Sequence, residues 1–328
     1  MKAIIYRKDG VPEAHTCEEI ARPRVRAHEV LLKVSAAAVN PLDLSLRGPS
    51  SNAREPAKQS NAKGEQVGCD VAGRVEAVGK KVTHFNIGDA VFGTCHGAFA
   101  EFACASESAL VTKPENMTFE QAAAVPVAAL TALQGLRDKA RLRAGQHVLI
   151  NGAAGGVGTF AVQIAKSLGA EVTGVCSARN MEMVRAIGAD HVIDYTQEDF
   201  TQSGQRYDVI FDVAGNHPLS AYLRVLHGKG VCVLVGAPNT PNKVWVFLRR
   251  IFVGLVLSCF TRQRFTVFIA KTRKADLNLL REMLASGKLV PMIDRRYRLH
   301  EVPVALRYLY EGHARGKVII TIHDSFEI

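Results

Sequence analysis

Apolar and polar residues alternate in two different rhythms along this chain of 328 residues. From Met1 to about Asn116, short apolar runs such as VLLKVSAAAV and DAVFG are separated by Gly, Pro and Asp at short intervals. This pattern predicts β-strands in an irregular, barrel-like domain. From about Thr118, helical patterns alternate with buried apolar strands such as HVLIN and EVTGVC. Strands that alternate with helices predict βαβ units and a parallel, doubly wound sheet.

The two rhythms predict an α/β protein of two domains, which also suits the length of the chain. We assign residues 123–265 to a Rossmann-type nucleotide-binding domain. We assign residues 1–122 and 266–328 to a β-rich domain, to which GKVIITI at 316–322 returns as a final strand. The polar stretch 48–66 is predicted to be an exposed loop between early strands.

The clearest chemical signal is the run INGAAGGVGTFAVQIAKSLGA at 150–170, which follows a strand and opens a helix. Glycine at such a turn lets a pyrophosphate approach the N–H groups of the helix N-terminus. Compared with the GxGxxG pattern, Ala153 replaces the first glycine, and Gly155 and Gly158 supply the other two. A glycine-rich turn without a ligand is the alternative. The predicted dinucleotide contacts are Ala154, Gly155, Gly156, Val157 and Gly158.

The end of the second strand of this domain favours NADP(H) over NAD(H). NAD-preferring folds place an acid there for the ribose 2′-hydroxyl, whereas residues 176–180 contain no acid and offer Ser177 and Arg179. An arginine suits a 2′-phosphate because it is permanently charged and binds bidentately. Tyr195, at the end of the next strand, is assigned to the adenosine end, although an ordinary exposed tyrosine fits nearly as well.

The positive charge of the chain is concentrated in one region. The formal net charge is +10, and residues 243–298 alone contain thirteen Lys/Arg and three acids. Seven cysteines without any CxxC spacing argue against a disulfide framework and against a four-cysteine zinc site. The first residues lack the apolar segment and cleavage site of a signal peptide, so a cytoplasmic location is expected.

The most apolar stretch, VWVFLRRIFVGLVLSCF at 244–260, is interrupted by Arg249 and Arg250 and is not expected to span a membrane. Three interpretations stay open. It lines a substrate cleft and a subunit interface, it contacts a membrane surface through 244–274, or it is a buried helix whose cations are solvated. Aromatic residues interleave with the cations, but the stretch is too apolar for a phosphate groove, so no nucleic-acid partner is expected.

Over essentially its whole length the chain resembles the medium-chain dehydrogenase/reductase superfamily. The resemblance implies a GroES-like fold for the β-rich domain, and it adds Asn40, Thr131, Gly215, Gly236 and Lys317 to the expected cofactor contacts. The motifs that carry it are AAAVNPLD (36–43), GCDVAGRVEAVG (68–79), GDAVFG (88–93), GAFAEFA (97–103), AAAVPVAALTAL (122–133), GAAGGVG (152–158) and GHARGKVIITI (312–322).

The same resemblance argues against a catalytic zinc ion. Zinc-dependent alcohol dehydrogenases of the superfamily carry a Cys in the segment that matches 36–43, and Gly-His-Glu where this chain has Gly68-Cys69-Asp70. A catalytic zinc needs three protein ligands, and only Cys69 and Asp70 remain here. We therefore expect no metal site, and we assign Cys69 and Asp70 to packing and turn geometry.

The chain is most similar to the zinc-free quinone oxidoreductase branch, which includes zeta-crystallin-like proteins, the reticulon-4-interacting-protein type and plant enone reductases. This similarity implies hydride transfer from NADPH to a quinone or to an α,β-unsaturated carbonyl, bound between the domains beside Asn40. Asn40 is expected to donate to a developing oxyanion or to the carboxamide of the cofactor. Asp43 either relays a proton or forms an Asx-type cap.

Two other functions stay open at this stage. One is a broad-range NAD(P)-dependent alcohol dehydrogenase, with an atypical zinc site as one form of it. The other is an NADPH-binding protein with vestigial catalysis. A homodimer is expected because relatives are commonly dimers.

Overall fold

The computed structural model describes residues 1–7, 15–44, 64–236, 243–312 and 314–322. All but the last three residues of the predicted loop at 48–66 lie outside this part of the chain. The chain forms two compact units. Unit 1 comprises Met1–Val127, Thr272–Gly287 and the chain from Pro291 onward, and unit 2 comprises Ala128–Lys271 and Lys288–Val290.

Unit 1 contains two sheets. The smaller sheet has the order β2-β1-β4, from β1 (Lys2–Tyr6), β2 (His15–Glu19) and β4 (Glu65–Gln66). The larger sheet consists of β3 (Glu29–Val39), β5 (Asp70–Val78), β6 (Ala90–Thr94), β7 (Phe102–Ser106), β8 (Leu110–Thr112), β15 (Ile293–Arg298) and β16 (Lys317–Thr321). Its order is β15-β16-β3-β5-β6-β8, and β7 also pairs with β3.

Strand β3 is the centre of the larger sheet. It pairs with β5, β7 and β16, all antiparallel. Its long apolar run is buried at successive positions, and because successive side chains point to opposite faces, both faces of this strand are largely covered. The register of β16 sets Val318 opposite Val39, so the C-terminal strand begins beside the end of β3.

Among the described residues, three α-helices complete unit 1, and a fourth contains the boundary between the two units. Helix α1 (Phe119–Ala123) begins at Thr118, whose side chain forms a capping box with Gln121. Helices α7 (Lys274–Ala285) and α8 (Val302–Tyr310) follow later in the chain. Helix α2 (Pro126–Leu133) contains the boundary between the units and continues into a π-helical segment, Gln134–Ala140.

Unit 2 is built on a parallel sheet of six strands. The chain forms one half of the sheet outward from β9 and then returns to form the other half from β12, so the predicted doubly wound sheet is confirmed. The strands are β9 (His147–Asn151), β10 (Glu171–Cys176), β11 (His191–Asp194), β12 (Tyr207–Asp212), β13 (Leu226–Leu234) and β14 (Arg264–Val267), in the order β11-β10-β9-β12-β13-β14. The helices are α3 (Gly156–Ser167), α4 (Met181–Ala186), α5 (Leu219–Val225) and α6 (Lys243–Phe260).

The sheet of unit 2 extends slightly beyond the segment predicted for it. Strand β14 crosses the predicted boundary between residues 265 and 266, because Phe265 is buried in the core and paired with Cys232 of β13. The contacts place the boundary at Lys271 instead. Among the described residues, no helix combines the length and the apolarity needed to cross a bilayer.

Candidate functional site

In unit 1, β3 leads directly into the two residues predicted to be catalytic. Asn40 follows Val39, and Asp43 lies in the short 3-10 helix Pro41–Leu44. The Asn40 N–H donates to Asp43 Oδ2 at 2.7 Å, and the Asp43 N–H donates to the Asn40 carbonyl at 3.0 Å. The carboxylate therefore reaches back to the first N–H of its own turn, as the last residue of a capping box does. This is a local cap, but not an Asx turn, in which the side chain bonds backbone further along the chain. Both side chains are buried.

Two buried polar side chains from different strands, Asp70 and Lys317, meet the side chain of Asn40 at this turn. Asp70, at the start of β5, is completely buried, and its Oδ2 accepts from Asn40 Nδ2 at 2.9 Å and from Lys317 Nζ at 3.1 Å. Lys317 Nζ also donates to Asn40 Oδ1 at 2.7 Å. The second carboxylate oxygen of Asp70 accepts from the Val127 N–H at 2.8 Å. Assigning Asp70 to packing and turn geometry was wrong, because it is the acceptor that joins Asn40 to Lys317.

Both amide hydrogens of Asn40 and one of the two acceptor positions of its oxygen form hydrogen bonds in this arrangement. Its two amide hydrogens go to Asp70 Oδ2 and, at 3.2 Å, to the Ala38 carbonyl, while its oxygen accepts from Lys317. The bond to Ala38 is the longest of the three. Donation by Asn40 to a substrate or cofactor oxygen therefore requires the exchange of that bond.

The Asp43 carboxyl has a pKa close to neutrality. Burial, and to a smaller extent the nearby charge of Asp70, raise the pKa of Asp43 from the ordinary range to about 7, against the lowering effects of the Asn40 N–H, Lys317 and the Cys69 thiol. Burial also raises the pKa of Cys69, so this thiol stays protonated beside Asp43. The turn thus holds one carboxyl that gains or loses a proton near pH 7.

The described part of the chain brings together no group of three or more His, Cys, Asp or Glu side chains able to hold a metal ion. The charge of Asp70, which occupies one of the two remaining ligand positions, is neutralised by Lys317.

In unit 2, the turn between β9 and α3 has the shape that the glycine pattern predicts. Gly152 adopts a φ of 90°, and α3 begins after Gly155 without any side-chain cap, so its first N–H groups are not covered by a side chain of that residue. A Cβ on Gly158 would lie 2.0 Å from the Gly152 carbonyl oxygen, so only glycine allows this close helix–strand packing. The turn fits a pyrophosphate group.

The residues assigned to the adenosine end of the cofactor follow the carboxyl-terminal ends of two neighbouring strands, β10 and β11. Ser177 directly follows β10, and Tyr195 directly follows β11, with the Tyr195 N–H donating to the Cys176 carbonyl at 3.1 Å. Arg179 and Tyr195 are exposed. Asn180, which the sequence analysis did not single out, is buried and donates to Ser177 Oγ at 3.1 Å.

Gly215 and Gly236, which are also predicted to contact the cofactor, are both required by the local backbone. Gly215 has a φ of 67° and donates its N–H to Asp212 Oδ1 at 3.0 Å. A Cβ on Gly236 would lie 1.8 Å from the Val213 carbonyl oxygen. Thr131 is half-buried in α2. Their contact with a cofactor stays a prediction.

A buried ion pair in unit 2 also escaped the sequence analysis. Arg250 of α6 donates to Asp212 Oδ2 at 2.6 Å, and to the carbonyls of Gly215 at 3.0 Å and His217 at 2.6 Å. Asp212 also accepts from Asn151 Nδ2 at 2.9 Å. One helix is thereby fixed to the ends of β9 and β12. The only hint in the sequence was an arginine inside an apolar helix, together with an aspartate at the end of a buried strand.

The chain is similar in sequence and in structure to known proteins, and the matches include residues of both units. Residues 26–115 match the alcohol dehydrogenase GroES-like domain, and residues 187–320 match the zinc-binding dehydrogenase domain. The mitochondrial NAD(P)H oxidoreductase RTN4IP1 of Mus musculus is 34% identical, over 90% of this chain and 82% of its own length. The chloroplastic NADPH-dependent alkenal/one oxidoreductase of Arabidopsis thaliana is 32% identical, over 98% of this chain and 79% of its own length. The solved structure of the quinone oxidoreductase from Coxiella burnetii has a TM-score of 0.85 and 32% identity, over 98% of this chain and 99% of its own.

Proposed function

Because this chain belongs to the zinc-free quinone oxidoreductase branch of the medium-chain dehydrogenase/reductase superfamily, we propose roles for its residues in the reaction of that branch. The chain is an NADPH-dependent oxidoreductase of quinones and α,β-unsaturated carbonyls. The observation that carries the proposed roles is the buried cluster of Asn40, Asp43, Asp70 and Lys317, with the carboxyl of Asp43 poised near neutral pH.

We assign cofactor binding to the turn between β9 and α3 and to the segments that follow β10 and β11. The backbone of Ala154–Gly158 holds the pyrophosphate at the N-terminus of α3. Ser177 and Arg179 hold the 2′-phosphate, and Tyr195 covers the adenosine. NADPH supplies the hydride when it is bound. Thr131, Gly215 and Gly236 are proposed as further contacts.

Asn40 and Asp43 are proposed to act on the acceptor. A conjugated acceptor spreads its developing negative charge into an enolate or a hydroquinone anion. Asn40 stabilises that charge by exchanging its longest amide bond, the one to Ala38, for a bond to the acceptor oxygen. Lys317 holds the Asn40 oxygen in place and acts as a positioning residue. Asp43, protonated below about pH 7, supplies the proton that completes the reduction.

The proposed role of Asp43 is tested by the pH dependence of turnover. We expect wild-type kcat with an alkenal to fall as the pH rises through about 7, because the protonated acid is lost. Asp43→Asn keeps the shape of the turn but has no proton to give, so it lowers kcat by about a hundredfold or more at pH 6 and removes that fall. An unchanged profile would leave solvent as the proton source.

The choice of substrate and cofactor is tested with a panel containing an ortho-quinone, a para-quinone, an alkenal and an alcohol run in reverse. Each is measured with NADPH, with NADH and with a chelator. We expect turnover of the conjugated acceptors, with a preference for NADPH and no effect of the chelator. Turnover of the alcohol alone, abolished by chelator, would favour the alcohol dehydrogenase alternative. No turnover together with NADPH binding would favour a binding protein.

We also propose a homodimer, a membrane-surface contact through 244–274 and a cytoplasmic location. The dimer is supported by β14, the last strand of the sheet in unit 2, whose outer edge pairs with no other described strand. Light scattering tests it, and a monomer at micromolar concentration would contradict it. Localisation of a tagged chain in cells tests the cytoplasmic location.

A further inference from the structure

Helix α6 turns an apolar face to solvent. Its opposite side holds the buried Arg250, together with Gly254, which packs against Phe265 of β14. Phe252 is 68% exposed and Phe260 84%. A helix at a protein surface normally presents polar residues to water. The exposed residues of this outward face are Leu248, Arg249, Phe252, Val253, Leu255, Val256, Cys259 and Phe260, of which only Arg249 is charged.

The chain around α6 carries charge of a single sign. Between Asp212 and Asp276 there are ten Lys/Arg and no Asp or Glu. Arg250 is neutralised by Asp212. Six of the other cations, all in unit 2, are exposed: Arg224, Lys229, Arg249, Arg262, Arg264 and Lys271.

Several of these cations lie near the C-terminal end of α6. Gln263 Nε2 donates to the carbonyls of Leu223 at 3.0 Å and Leu226 at 3.2 Å. This fixes the turn after α6 against the end of α5, so the segment that carries Arg262 and Arg264 lies beside the end of the helix that carries Arg224. The exposed ring of Phe260 precedes them by two residues. The apolar face therefore ends in a cationic rim.

The charge of this surface selects its partner. In a symmetric dimer the same surface meets itself, so the exposed cations of the two copies would face each other, and like charges oppose such a contact. An anionic bilayer is complementary to this surface in charge and in polarity. Its phosphates attract the cations, and the boundary of its acyl chains accepts the apolar side chains. Since α6 is not a candidate to span the bilayer, it would lie in the plane of the interface.

We propose that α6 docks this enzyme on an anionic phospholipid surface. Its outward face enters the boundary between headgroups and acyl chains, and Arg224, Arg262 and Arg264 contact the phosphates. This deepens the membrane part of the proposed function by naming one helix face and one lipid charge, and it does not depend on which residues carry the reaction.

Vesicle flotation of the full chain tests this proposal. Vesicles of phosphatidylglycerol with phosphatidylcholine are compared with vesicles of phosphatidylcholine alone. We expect binding to the anionic vesicles only, weakened by high salt. Phe252→Ser with Phe260→Ser should lower that binding at least about tenfold, and Arg262→Glu with Arg264→Glu by a similar factor. The matched control is Ile87→Ser, which changes a 70% exposed apolar side chain of unit 1 and should leave binding unchanged.

The proposal is overturned if the wild type ignores anionic vesicles, or if Ile87→Ser weakens binding as much as the α6 variants do. It is also overturned if the α6 variants bind lipid normally but dissociate an oligomer in light scattering, since a second copy would then cover the face. Turnover of a water-soluble quinone without vesicles is measured for each variant. This turnover reports on the proposed reaction alone, so failure of one proposal is distinguished from failure of the other.

Discussion

The buried carboxylate of Asp70 determines both the stability of unit 1 around it and the position of the Asn40 side chain. It has no exposed surface, and Lys317 is the cation that balances it. A carboxylate in such a place is tolerated only while its partners remain, because the loss of one leaves a charge that water cannot reach. The same two side chains hold the amide of Asn40. Stability and the geometry of the site therefore depend on the same contacts.

Lys317→Met is expected to lower the free energy of unfolding by about 3–5 kcal/mol at neutral pH, because Asp70 loses its counter-charge. Urea unfolding measures this cost. The double variant Asp70→Asn with Lys317→Met removes both charges and should recover part of the loss. A cost below about 1 kcal/mol for the single variant would contradict the role of Lys317 as the counter-charge of Asp70.

Asp43 should make stability depend on pH in the direction opposite to an ordinary salt-bridged carboxylate. Its folded pKa, about 7, lies above the unfolded value, so the folded state holds the proton more tightly. The contribution of Asp43 to stability is therefore largest at low pH and falls as the pH rises from about 4 to about 7.

Asp43→Asn should remove this dependence. Relative to wild type, we expect the variant to gain roughly 3 kcal/mol of unfolding free energy between about pH 5 and pH 8. Urea unfolding of both proteins at the two pH values measures the difference, which cancels the carboxylates they share. If the two proteins changed in parallel, the pKa of Asp43 would not be raised.

At the scale of single elements, the glycines of the turn before α3 do different work. A methyl group on Gly158 would collide with the Gly152 carbonyl, whereas one on Gly155 would lie 3.5 Å from the same atom. Gly158 is needed for the close packing between helix and strand. At Gly155 the backbone has no such close neighbour, which suits the pyrophosphate contact proposed for it.

Gly158→Ala is therefore expected to destabilise the protein by about 1–3 kcal/mol through steric strain. Gly155→Ala should leave the melting temperature nearly unchanged and weaken NADPH binding. Thermal melts and NADPH titration by fluorescence separate the two effects. Equal loss of stability in both variants would contradict the division of roles.

Helix α6 offers a matched pair in two successive arginines. Arg250 is buried on Asp212, and Arg249 is exposed. Arg250→Met should cost about 3–5 kcal/mol of unfolding free energy because Asp212 is left unpaired. Arg249→Met should stay within about 0.5 kcal/mol. Urea unfolding of the two variants decides this, and a similar cost for both would rule out the ion pair as the cause.

Considering the molecule as a whole, the strands of unit 2 could be predicted because a strand buried on both faces is a continuous apolar run. Residues 147–151 and 171–176 match β9 and β10 to the residue. For Asp43, a local cap was one of two alternatives, and the bond from the Asn40 N–H shows a cap, although not of the Asx type. The partnership of Asp70 with Lys317 was not predicted, because 247 residues separate them and only the pairing of β16 with β3 brings them together. The burial of Arg250 depends equally on tertiary packing.

The discontinuous construction of unit 1 has a consequence for synthesis on the ribosome. Nearly all of unit 2 is one uninterrupted segment, Ala128–Lys271, whereas unit 1 needs the last strand, β16, beside β3. Domains generally fold as units while the chain is being made, so the middle of this chain completes its fold before the beginning does. Until Lys317 has emerged from the ribosome, Asp70 lacks its counter-charge, and the side-chain oxygen of Asn40 lacks the hydrogen bond from Lys317. A nascent chain can therefore present its nucleotide turn before it is competent for reduction.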